Sequence, residues 1–101
     1  MKLINKTIFG KKYKLYVANS FRDKKKGMNI FKEPPKNTGM LFNYQQEVAN
    51  RKFSLAKTPF GLIVIFINSK GEIVHLEKGK AYQPKLIQCD KPSSIVIEIP
   101  D

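Results

Sequence analysis

The side chains with the widest chemical reach are few in this chain. There is one histidine, His75, one cysteine, Cys89, and eight Asp and Glu in 101 residues. A thiol nucleophile needs a base within hydrogen-bond reach. His75, Cys89 and Glu77 are the residues that could supply such a set, and nothing in their spacing joins them. Read among its neighbours Val74 and Leu76, His75 fits a strand position, and Cys89 fits a small buried or edge residue. A single cysteine forms no internal disulfide and no zinc site of its own, which suits a reducing compartment. Ser20, Ser54, Ser69, Ser93 and Ser94 lack the setting of a nucleophile elbow. The six glycines are scattered rather than gathered into a phosphate loop. The expectation is therefore no catalytic residue, no metal and no cofactor.

Charge offers a second kind of chemistry. Nineteen Lys and Arg against eight acids give a net charge of +11, and only Arg22 and Arg51 are arginines. Lys11, Lys12 and Lys14 sit beside Tyr13 and Tyr16, while Arg22, Lys24, Lys25 and Lys26 follow Phe21. Cations interleaved with aromatic rings can hold a nucleic acid or another polyanion by charge and stacking. Lysine lacks the fork with which arginine reads phosphate and base edges, so any such attraction is weak and nonspecific. The plainer expectation is a solvated lysine-rich surface. The excess of Lys, Asn and Ile also fits AT-rich coding, and with the short chain it suggests a viral or mobile-element origin.

These residues must be carried by strands. The hydrophobic fraction of 42% and aromatic fraction of 11% suffice for one core. A chain of this size buries roughly 65% of its unfolded surface, which predicts one domain over 1–101. Lys2 to Phe9 reads as a strand, with a hairpin at Gly10-Lys11. Tyr13, Leu15 and Val17 alternate with Lys12, Lys14 and Tyr16 in the period of a half-buried strand. Ser20 followed by Asp23 makes an acidic capping box for a short helix over 21–26, and Gly27 supplies its left-handed end. Lys24, Lys25 and Lys26 suit the negative end of its dipole.

The stretch from Asn29 to Thr38 reads as a loop around Pro34-Pro35. Met40 to Phe42 is a short strand, and Val48 to Leu55 a weaker one. Leu62 to Ile67 is apolar at every position, as in a central strand covered on both faces. Asn68 to Gly71 is a hairpin turn, returning through Glu72 to Glu77. Gly79 to Pro92 looks mostly irregular. Ser94 to Ile99 alternates, with Ile95, Ile97 and Ile99 on one face. No stretch approaches the ~20 apolar residues of a membrane helix, and Asn5, Lys6 and Thr7 interrupt any leader-like run at the start. A soluble, cytoplasmic protein is expected.

Several segments, taken in order, resemble one family. Gly39-Met40-Leu41-Phe42 matches its G-M-L-F segment, and Lys24 to Met28 is similar to its R-x-x-G-L-M. Phe53 to Thr58 lies where the family has F-W-M-K-N-T. Leu62 to Asn68 lies where it has P-L-D-I-x-F-[IL]-D, Gly71 to Val74 resembles its G-x-V-V, and Ile97-Glu98 its L-E. The family is domain of unknown function 192, also called uncharacterised protein family 0127, and the resemblance spans about residues 13 to 101. It implies a compact β-rich fold and no particular activity.

The departures from that pattern are informative. The resemblance implies a cleft at Ser54, Lys57, Thr58 and Ile63, where family members carry an indole, an amide, a threonine and an aspartate, with a lysine at the place of Ala56. Here Ile63 takes the place of the aspartate, and Thr58 alone keeps its polar character. A buried acid needs partners, so its loss together with theirs is coherent. It implies that any chemistry done through those groups is not done here in the same way. The chain also stops short of a further strand-like segment in the family; a sheet edge, if one is left open there, would invite pairing with a second chain.

The expected fold is a mainly β, small single-domain sandwich or partly open barrel of six to eight strands with one short helix. The expected role is a non-enzymatic binding or accessory domain. The alternative is a nucleic-acid or polyanion-binding protein.

Overall fold

A computed structural model describes residues 1–101. Eight strands form: β1 Lys2–Ile8, β2 Lys11–Ala18, β3 Thr38–Val48, β4 Arg51–Phe53, β5 Leu62–Ile67, β6 Ile73–Gly79, β7 Ile87–Cys89 and β8 Ser93–Pro100. One helix, α1, spans Phe21–Lys26 and runs into a 3-10 turn over Gly27–Ile30. Six strands make the main sheet in the order β1-β2-β3-β8-β5-β6, and β4 pairs with β7 in a separate ribbon. The molecule measures 31 × 30 × 28 Å.

Most pairs are antiparallel, but β2 and β3 run parallel, with Tyr16 opposite Met40 and Ala18 opposite Phe42. Parallel neighbours need a crossover connection, and here the crossover carries α1 and the 3-10 turn. Ser20 Oγ accepts the Asp23 amide at 3.0 Å, and the Gly27 N–H reaches the Asp23 carbonyl, so both ends of this short helix are closed. Gly27 sits at φ +54°, where a side chain would be strained.

The sheet carries apolar side chains on both faces. Met40, Phe42, Val64, Phe66 and Val96 occupy the first face, under a cover formed by Met28, Leu55, Ile87 and Cys89. Phe53 on β4 packs edge-on against Phe42 and Phe66, at 5.5 and 5.8 Å between ring centres, and so holds the ribbon over the sheet. Leu15, Ile65, Ile97 and Ile99 form a second cluster on the other face, joined by Ile8 at the end of β1. The sheet curls to enclose it: Ile8 and Phe9 border the same recess as Ile67 and Ile73 of the opposite hairpin.

Several local expectations change. The strand begun at Met40 extends over eleven residues. Val48 to Leu55 is broken by a turn, with Asn50 at φ +61° before β4. The stretch read as irregular contains β7, three residues held by pairing with β4 rather than by any pattern of their own. The first hairpin turns at Phe9-Gly10, both at positive φ, one residue earlier than the sequence suggests. Leu62–Ile67 is covered on both faces but is not the middle of the sheet: β3 and β8 are.

Candidate functional site

The first face opens into a cleft of about 480 Å³ between α1, the 3-10 turn, β4 and the segment after it. Its floor is made by Phe42, Leu62 and Glu98, and its walls by Met28, Phe53 and Leu55. Lys24, Lys25, Lys26 and Lys52 stand around it. The closed ends of α1 fix three of these lysines, and pairing of β4 with β7 fixes the fourth.

Glu98 is the unusual member. It lies on β8 between Met40 of β3 and Val64 of β5, in the middle of the sheet. It is 5% exposed, among apolar neighbours. Burial pushes its carboxyl up to about 8, so at neutral pH it is mostly the uncharged acid. Neither a cation nor a hydrogen bond offsets that burial. An uncharged carboxyl offers one O–H donor and acceptor capacity at a single point. At the base of a cleft, those functions face whatever enters.

Tyr44 lies near this acid. Burial raises its phenol, Arg51 works against that rise, and Glu98 adds to it. Burial in turn lowers the Arg51 guanidinium, against the pull of Tyr44. Arg51 stacks 3.7 Å from the Tyr44 ring centre, and Lys24 Nζ approaches the same ring at 4.7 Å. Arg51 also donates from Nε to Ser93 O at 3.0 Å and from Nη2 to Gln46 O at 2.6 Å. The clamp fastens β4 to β3 and β8.

Of the residues singled out by resemblance, Ser54 and Thr58 line this cleft. Thr58 is buried, and its Oγ1 donates to Asn29 Oδ1 at 2.9 Å, tying the segment after β4 to the 3-10 turn. Ser54 Oγ accepts the Ala56 amide at 3.2 Å. Lys57 is exposed and does not line the cleft. Ile63 packs with the second cluster, on the opposite face of the sheet from Ser54 and Thr58. The acid in the cleft is Glu98. Its sequence signal was available: a lone carboxylate alternating with Ile95, Ile97 and Ile99, on the face those isoleucines leave.

The basic residues divide into two sets. Lys24, Lys25 and Lys26 belong to the cleft, whereas Arg22 does not line it. Lys12 and Lys14 border a separate groove beside β1, and Lys11 lies next to the hairpin turn. His75 Nε2 and Glu77 Oε1 are 3.0 Å apart on β6, while Cys89 is buried and donates to Lys91 O. The hydrogen bonds of Cys89 do not include His75.

This architecture, a curled β-sheet with one crossover helix over a cleft, defines the class of protein. The chain belongs to the DUF192 family, described as "Uncharacterized ACR", whose sequence profile matches residues 4–101. It is a family of unknown function. No curated protein matches the chain. Two crystal structures share the fold. One is a proposed transcription regulator from Sinorhizobium meliloti 1021, at TM-score 0.80 and 20% identity over 97% of this chain and 76% of that one. The other is a protein of unknown function from Novosphingobium aromaticivorans DSM 12444, at TM-score 0.80 and 18% identity over 97% and 71%.

Proposed function

We propose that the chain is a small-ligand-binding domain, and that its ligand is a compact organic anion with an apolar body. The observation that carries this is Glu98, an unpartnered carboxyl at the floor of a cleft that combines aromatic and aliphatic walls with four lysines. Ser93 Oγ is the only side-chain polar atom sealed away without a partner, so the Glu98 oxygens keep an opening onto the cleft. A ligand oxygen or nitrogen reaching the floor would pair with them. The aromatic and aliphatic walls suit a hydrophobic body, and the lysines suit a carboxylate, sulfonate or phosphate at its other end.

The test uses anilinonaphthalene sulfonate, an aromatic anion, as probe, with amide and methyl NMR shifts mapped over the whole chain at pH 6.5. Saturable binding with shifts centred on Met28, Phe42, Leu55 and Leu62, weakened by Lys24→Ala with Lys26→Ala, is the expected result. Shifts centred on the second cluster, at Ile65 and Ile97, would instead place the binding face on the other side of the sheet.

A further inference from the structure

A second basic surface lies outside the cleft, and it exists only in the folded chain. β1 and β2 form a hairpin in which Lys12 faces Thr7 and Lys14 faces Asn5. The parallel pairing of β2 with β3 then brings Asn37 alongside, where its carbonyl accepts the Lys14 amide at 2.9 Å. This delivers Lys36 from the proline loop to the hairpin. The result is an open groove of about 720 Å³ bordered by Lys6, Lys12, Lys14 and Lys36.

Three properties distinguish this groove from an ordinary charged surface. No Asp or Glu lines it, and none of its four lysines forms an ion pair; the lysine that does is Lys78, with Asp101. The gaps between the lysines hold hydroxyls and amides, Thr7 and Asn5 among them, which can donate to phosphate oxygens. Its one hydrophobic residue, Tyr13, packs against the second apolar cluster and so offers no free ring. No arginine lines it, so the forked contacts that read base edges are missing.

We infer that this groove is a docking surface for the phosphodiester backbone of a nucleic acid, held by charge and hydrogen bonds without reading sequence. Spaced cations along a groove with neutral donors between them are the features with which a phosphodiester backbone is held irrespective of sequence. Heparin-like sulfated chains share the charge but not the bases, and they are the outcome to be separated.

The experiment compares two variants of equal net charge. Lys12, Lys14 and Lys36 are changed together to Ala in one protein, and Lys24, Lys25 and Lys26 in the other. Binding of a fluorescent oligothymidylate of about 20 nucleotides is followed between about 50 and 200 mM salt. The wild type should show a log–log salt slope near −3, at about −0.7 per lysine–phosphate contact on a single strand. The groove variant should bind about tenfold more weakly at the lower salt and lose about two units of slope. The helix variant should keep the wild-type slope. Lys36→Ala alone, in an exposed loop, should lower the slope by about 0.7, which keeps the test open should the triple variant fold poorly. Equal loss in both triple variants would mean that diffuse net charge, not the groove, does the binding. Undiminished binding by the groove variant, or heparin competing as well as unlabelled oligothymidylate at equal charge, would equally overturn the inference.

Discussion

Gly39 on β3 lies directly against the backbone of Glu98 on β8. A Cβ at Gly39 would collide with the Glu98 carbonyl oxygen and stand 2.9 Å from Ile99 Cγ2. The obstruction is backbone, which cannot rotate away. Gly39→Ala should therefore push β3 and β8 apart where they flank the buried acid, at a cost of about 1–3 kcal/mol. For a domain of this size that lowers Tm by roughly 4–8 °C per kcal/mol, readable by calorimetry. An unchanged Tm would show that the strands have slack at this point.

Glu98 itself makes a pH prediction. Its folded value of about 8 lies above the unfolded 4.5, so between those values the native state holds a proton that the unfolded chain has released. Stability from this group is full below about pH 4.5, falls as pH rises, and is lost above about pH 8, at roughly 1.4 kcal/mol per pH unit at most. The cationic groups around the same cleft are Lys24, Lys25, Lys26 and Lys52, and Tyr44 is also near. Glu98→Gln mimics the uncharged acid and removes the titration. The Tm of the variant minus that of the wild type should grow from pH 5 to about pH 8 and level off above it. A constant difference would mean that the carboxyl titrates normally.

The helix that carries three cleft lysines depends on one hydroxyl. Ser20→Ala removes the acceptor for the Asp23 amide, at about 1 kcal/mol. A six-residue helix has little stability of its own. Amide exchange at residues 21–26 should accelerate while exchange in β5 and β8 changes little. Equal acceleration everywhere would show that the helix opens only with the whole fold.

Arg51 fastens the ribbon over the sheet. Arg51→Ala loses the hydrogen bonds to Ser93 O on β8 and Gln46 O on β3 and the stack on Tyr44, worth about 1–3 kcal/mol together. Protection of the amides of Arg51–Phe53 and Ile87–Cys89 should fall first, because these strands pair only with each other. Arg51→Lys should not rescue it, since an ammonium lacks the flat face and the fork. Full rescue by lysine would reduce the role of Arg51 to charge.

Strand-rich character, the helix over 21–26 with its serine cap, and the all-apolar strand Leu62–Ile67 were legible because each rests on near-neighbour chemistry: a period of two, a hydroxyl three residues before an amide, a run of β-branched side chains. β7 was not legible, since three residues carry no period and their strand exists through β4. The cleft was half legible. Ser54 and Thr58 reach it, but the resemblance that pointed to them also pointed to Ile63, which strand alternation turns to the other face.

The amino-acid sequence by itself determined the class of fold, the absence of long apolar helices and the large positive charge, because these follow from composition and local periodicity. Tertiary structure decided which charges act together and which acid is buried. β8 became a middle strand only through pairing with both β3 and β5, and that pairing removes Glu98 from water. Lys36 joined Lys12 and Lys14 only through a parallel strand pair formed across the crossover. Burial and convergence are properties of distant segments meeting, and no local pattern in the chain encodes them.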